Sequence, residues 1–145
     1  MVCKVRYLNS AGIMPREIKG IDALAMAFPP EWLLYVALNC YPRNQDPMEI
    51  DALVVIEDQI LLLEIKDWNP KLTHQNDRWY VGGQSRGRSA VIQANEKARK
   101  LKSVLGSEIP KIKDSLWIEP RVVLTGQATR EHLHQSEKPY VWTLA

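Results

Sequence analysis

Residues 49–67 read E-I-D-A-L-V-V-I-E-D-Q-I-L-L-L-E-I-K-D. Two apolar runs are separated by polar residues where a chain would reverse. Acidic residues cap the entry, and Glu64 and Lys66 close the exit. The pattern is that of a β-hairpin. With Asp58 and Gln59 as a two-residue turn, Leu53 lies opposite Glu64 and Asp51 opposite Lys66. Side chains alternate between faces along a strand, so Asp51, Glu64 and Lys66 are expected on one face. Both runs are almost continuously apolar, which calls for a sheet covered on both faces, by helices.

Outward from the hairpin, residues 15–28 are expected to form a helix. Pro15 suits a first turn and Pro29-Pro30 cannot continue one. Glu17, Ile21, Leu24 and Phe28 recur at helical spacing, which puts a carboxylate on or beside the apolar stripe. Glu17 is then either a site residue or an acid favoured by the positive end of the helix dipole, and both readings stand. Residues 32–40, apolar and bounded by prolines 30 and 42, read as a buried strand, and residues 3–8 as a short strand or arm. After Asp67 comes a polar, turn-rich connection holding a short strand at 78–81. A second helix is expected over 89–105, with Ala94, Ala98, Leu101 and Leu105 as its stripe and Gly106 as its stop. Gln93, Lys97 and Lys100 form a row beside that stripe. Residues 120–125 read as a core strand, 129–135 as a short helix and 140–144 as a last strand.

The chain's 145 residues, 46% hydrophobic and 25% charged, fit one domain spanning 1–145. No apolar stretch is long enough for a membrane span, and the N-terminus lacks a signal-peptide core, so a cytoplasmic protein is expected. Cys3 and Cys40 stand apart, without the paired spacing of a zinc site or a disulfide framework. His132 and His134, two apart, are a poor metal pair on a helix. The net charge of +2 is too small to argue nucleic-acid binding, but it is unevenly spread. Between residues 84 and 113 eight Lys or Arg face two acids, giving +6 there and −4 elsewhere. A phosphate-binding face or a solvated helix surface accounts for that equally.

Two carboxylates from adjacent strands, Asp51 and Glu64, make the hard-oxygen environment preferred by Mg²⁺ or Mn²⁺, and the Ile65 carbonyl is a candidate third ligand. Lys66, on the face of Glu64, suits stabilisation of a phosphorane-like transition state. Arg86 and Arg88, beside Gly83 and Gly87, form a candidate phosphate-contacting loop, and Lys97 and Lys100 extend the row from Gln93 toward neighbouring phosphates. Trp68 and Trp79 are expected to pack over the sheet edge rather than to stack on bases.

The strand pair E-I-D-A-L-V-V and L-L-L-E-I-K-D-W, the first-helix acid Glu17, the downstream Trp79 and Gln93 in the second helix together resemble the nuclease-related domain (NERD). That family is a branch of the PD-(D/E)xK restriction-endonuclease-like superfamily. The resemblance covers roughly residues 16–125. It implies an α/β fold of order αβββαβ, with a mixed central sheet flanked by helices. It also implies a divalent metal at Asp51 and Glu64, Lys66 as catalytic lysine, Glu17 and Gln93 as supporting site residues, and DNA as substrate. Ile50 stands where the superfamily has proline. Such domains are found beside helicase, kinase or other nucleic-acid-processing regions, so the chain is expected to be the N-terminal part of a longer protein. A non-catalytic nucleic-acid-binding module and a protein-interaction domain are the rival expectations.

Overall fold

The computed structural model describes residues 3–8, 15–42, 45–57, 59–112 and 115–144. The order is β1 (Lys4–Tyr7), α1 (Pro15–Ala27), β2 (Leu33–Cys40), β3 (Met48–Ile56), β4 (Gln59–Lys66), β5 (Leu72–Gln75), β6 (Arg78–Val81), β7 (Gln84–Arg88), α2 (Ala90–Glu108), β8 (Trp117–Leu124) and β9 (Val141–Thr143). Six strands form a mixed sheet in the order β1-β2-β3-β4-β8-β9, and β5-β6-β7 form a separate three-stranded antiparallel sheet. Strands β2, β3 and β4 are antiparallel neighbours, while β4, β8 and β9 run parallel. The expected mixed sheet with helices is present. The simple αβββαβ order is corrected, because β1, β9 and the whole small sheet are added to it.

The near-continuous apolar strands are explained by cover on both faces. Along β4 and β8, Leu61, Leu63 and Val123 pack with Ile21, Leu24 and Ala25 of α1 and with Phe28 just beyond it. The alternate residues Leu62, Val122 and Leu124 pack with Ala94, Ala98 and Leu101 of α2. Full burial of each such side chain is worth about 1.5–3 kcal/mol, so this double cover is the main stabilising term of the domain.

The hairpin register differs from the expected one by two residues: Ile56 pairs with Gln59 and Ala52 with Leu63. Gln59 belongs to the strand, Glu57 takes a left-handed backbone (φ 45), and Asp58 lies outside the described residues. Because the shift is an even number, the side chains of the paired stretch, 52–56 against 59–63, keep their faces. Asp51 comes to the level of Glu64 rather than of Lys66.

Strands β2 and β3 hold a feature that alternation does not predict. Leu34 and Val36 pack on the α1 side, but Leu38 and Cys40 on the α2 side; on β3, Met48 and Ile50 face α2 while Ala52 and Val54 face α1. Pairing is in step on either side of the change, Val36 with Ala52 and Leu38 with Ile50. Between these pairs lies Ala37, with a left-handed φ of 60, at the level of Asp51. A left-handed backbone costs an L-residue about 1–2 kcal/mol, and here it lets both strands exchange faces at one level.

Within the small sheet, Asn76 and Asp77 (φ 51 and 62) and Gly82 and Gly83 (φ 58 and 83) supply the left-handed pairs that tight hairpins require. Its Leu72, Trp79 and Val81 join the α2-side core. Helix α2 opens as expected at Ser89, whose hydroxyl accepts from the Val91 and Ile92 N–H groups at 3.1 and 3.4 Å. It continues through Gly106 and stops at Ile109, three residues beyond the expected stop. The expected helix over 129–135 is replaced by bends and turns, followed by a short 3₁₀ turn at Lys138–Tyr140. A side chain at Gly126 would collide with the Trp68 carbonyl, which also accepts the Ala128 N–H at 2.9 Å. Arg130 secures the tail by donating to the Lys138 and Val141 carbonyls at 3.1 and 2.9 Å. Among the described residues no helix is long and apolar enough to cross a membrane.

Candidate active site

Strand β4 carries three buried leucines and then delivers Glu64, itself only 3% exposed, onto the face covered by α2. The stripe of α2 that seats Ala94 and Ala98 on the sheet leaves Lys97 at its margin, and the Lys97 ammonium meets Glu64 Oε1 at 2.6 Å. Burial pushes the Glu64 carboxyl above its ordinary pKa, and the negative charge of Asp51 pushes it further. The hydrogen bond and charge of Lys97 and the charge of Lys66 pull the other way. Two acids and two lysines thus share one electrostatic neighbourhood.

Asp51 is half-buried at the level where β3 and β4 stop pairing. Beyond Ala52 and Leu63 its side chain takes over as acceptor, receiving the Ile65 N–H on Oδ2 at 2.8 Å. This fixes one carboxylate oxygen against the backbone that follows Glu64. The Lys66 ammonium lies over the Trp68 ring, 5.5 Å from its centroid, and Trp68 meets Trp79 edge to face at 6.2 Å. Trp79 is fully buried, so it packs and does not offer a face to bases.

The remaining sequence-nominated residues are placed as follows. Glu17 is exposed on the first turn of α1, the helix of the opposite face. Its neighbour Arg16 reaches the end of β4 instead, pairing with Asp67 Oδ2 at 2.7 Å and donating to the Asp67 carbonyl at 2.9 Å. Among the described residues no three of His, Cys, Asp and Glu come together to hold a metal ion, so Glu17 does not complete a three-acid cluster with Asp51 and Glu64. Gln93 is half-buried one turn before Lys97 on α2, and Lys100 and Arg86 are exposed. Arg88 is held by Glu96, Nη2 to Oε1 at 2.6 Å. That pair raises the Arg88 pKa and lowers that of Glu96, through the hydrogen bond first and charge second on the arginine side.

The sequence nominated Lys97 for phosphate, not for Glu64. The signal was available: Ala94 and Ala98 bracket it on the buried stripe, which aims a residue at 97 toward the sheet. Glu137 was missed altogether. It is 7% exposed and accepts from Trp79 Nε1 at 2.9 Å and from the Ser89 hydroxyl at 2.8 and 2.7 Å, with His74 Nδ1 at 3.5 Å.

The donor set suits a small hard cation. Asp51 and Glu64 contribute oxygens only, and the burial and mutual repulsion that disfavour two ionised carboxylates are what a divalent ion offsets.

No solved structure gives a significant match. A relative named "Probable kinase PglW", from Streptomyces coelicolor (strain ATCC BAA-471 / A3(2) / M145), is 25% identical over an alignment 134 residues long that covers 88% of this chain and 8% of that protein. The chain therefore spans less than a tenth of the relative's length. The family model described as "Nuclease-related domain" (NERD) matches residues 16–125, the stretch that contains α1, the β2-β3-β4 antiparallel unit, α2 and β8, and the chain belongs to that family.

Proposed function

We propose that this domain hydrolyses phosphodiester bonds of DNA with Mg²⁺ or Mn²⁺, in the cytoplasm and as one unit of a larger DNA-processing protein. The observation that carries the reading is the placing of Asp51 level with Glu64, with two ammonium groups in the same electrostatic neighbourhood. Asp51, Glu64 and the Ile65 carbonyl would hold the cation. When bound, it draws electron density from the scissile phosphate and eases deprotonation of an attacking water. Lys66 opposes the negative charge that builds on the phosphate oxygens as the water oxygen bonds to phosphorus and one P–O ester bond breaks, the departing oxygen taking up a proton. Gln93, one turn from Lys97, hydrogen-bonds phosphate or the attacking water, and Lys100 and Arg86 meet flanking phosphates. Glu17, on the first turn of α1, has a supporting role toward the hydrated ion in this reading.

DNA cleavage that requires Mg²⁺ or Mn²⁺ and is stopped by EDTA is expected, with Lys66→Ala slowing it by roughly 10²–10³-fold. Undiminished cleavage by Lys66→Ala overturns the assignment. A second reading, a non-catalytic nucleic-acid-binding module, is favoured by the Lys97 ion pair, which already satisfies Glu64. Its mark is salt-sensitive DNA binding, with no cleavage and no metal effect on binding.

A further inference from the structure

Glu64 is held by a cation that the protein itself supplies. Its carboxylate is 3% exposed and Lys97 Nζ sits 2.6 Å from Oε1. The Lys97 side chain keeps 26% of its surface in solvent, so its ammonium has a short path back to water that the glutamate lacks. Lys97 also stands on a different element from its partner, α2 against β4, joined by a flexible four-carbon stem. Asp51 cannot leave as easily, because its Oδ2 is engaged by the Ile65 N–H at 2.8 Å. The local count is two carboxylates, Asp51 and Glu64, against two ammonium groups, Lys66 and Lys97, all of which act on Glu64.

Adding a divalent ion to that neutral set makes a half-buried site doubly positive. Like charges a few ångströms apart repel strongly in such surroundings. The set returns to balance when Lys97 withdraws and a phosphate arrives. We propose that Lys97 is a displaceable counter-ion: it occupies Glu64 when metal is absent, competes with the divalent cation for that carboxylate, and swings to the DNA backbone when the cation binds. The proposal rests on the metal reading above and goes beyond it by making metal and DNA binding reciprocal. Each ligand favours the same withdrawn position of one side chain, and any coupling between two ligands acts equally in both directions.

Titration of Mn²⁺ alone into the 145-residue chain, followed by calorimetry, tests this with Lys97→Met and with Lys97→Gln, which keeps a neutral hydrogen-bond donor should the methionine variant fail to fold. Both variants are expected to bind Mn²⁺ about fivefold or more tightly than the unaltered chain. The gain should vanish when Asp51→Asn is added, which fixes it to this site. A merely structural lysine gives the opposite result, since its loss disorders the site and weakens the metal. Equal or weaker Mn²⁺ affinity in the folded variants overturns the counter-ion role and leaves the metal reading intact. Absence of Mn²⁺ binding in the unaltered chain and in both variants removes the metal reading and the counter-ion role together.

Discussion

Glu64 and Glu137 are the buried glutamates of the described fold, 3% and 7% exposed, and they are satisfied in opposite ways. Glu64 is met by an ammonium on a flexible stem and lies beside a second carboxylate. Glu137 is met by donors that cannot move: a fully buried indole N–H and a hydroxyl that also caps α2, with the His74 ring alongside. The first arrangement can exchange partners without disturbing a helix or a strand. The second ties β6, the start of α2 and the C-terminal tail into one network, and any exchange would loosen all three. Burial alone does not separate a working carboxylate from a structural one; the freedom of its partners does.

The sharpest way to break the comparison is at Glu137. Glu137→Ala strands the Trp79 and Ser89 donors, at about 1–3 kcal/mol for each buried group left unpaired, so a loss of about 2–6 kcal/mol is expected in urea unfolding. DNA cleavage per folded molecule should fall less than in Lys66→Ala. A loss within 0.5 kcal/mol would mean that water replaces the carboxylate and that the network holds nothing together.

Acidity tests the Glu64 arrangement more gently. The Glu64 carboxyl is raised above its ordinary 4.5 by burial first and by Asp51 second. A carboxyl with a higher pKa folded than unfolded binds its proton more tightly in the native state. Its favourable contribution is therefore greatest below the unfolded pKa and is lost as pH rises through the folded one. In EDTA the unaltered chain should lose stability relative to Glu64→Gln as pH climbs upward from 4.5 through that raised value. Melting curves of the two proteins that stay parallel over this window would show that Lys97 and Lys66 cancel the effect of burial. The smallest expected change is at the surface: Arg88→Ala, which removes a pair whose arginine side chain is 54% exposed, should leave the urea midpoint unmoved within error in the same unfolding measurement.

The central hairpin, both long helices and β8 were legible because each has a strong one-dimensional signal: apolar runs, a Pro15 start, an alanine-leucine stripe. The small sheet was not, except at β6. Its strands are four or five residues long and largely polar, and Asn76-Asp77 was not recognised as a turn pair beside the plainer Gly82-Gly83. Glu137 was illegible because a polar residue in a polar stretch gives no sign of burial until the indole and the hydroxyl that receive it are brought there by other strands. At the site, the letters Asp51, Glu64 and Lys66 named the neighbourhood. What converges there beside them, Lys97 rather than Glu17 in direct contact with Glu64, depended on which helix covers which face.

Ala37 has a consequence for how the sheet finds its alignment. In evenly alternating strands a slip by two residues keeps every side chain on its own face, so the apolar pattern tolerates it; the paired stretch of the β3–β4 hairpin, 52–56 against 59–63, is of that kind, and its sequence indeed fits two alignments. Between β2 and β3 each strand carries its own phase change, and a slip by two would set one phase change against ordinary strand and put apolar side chains of the two strands out of step across the pair. The left-handed alanine thus serves as a notch that admits one alignment. Asp51, at the level of that notch, has its height in the sheet set by the neighbour on its far side and not by its own turn.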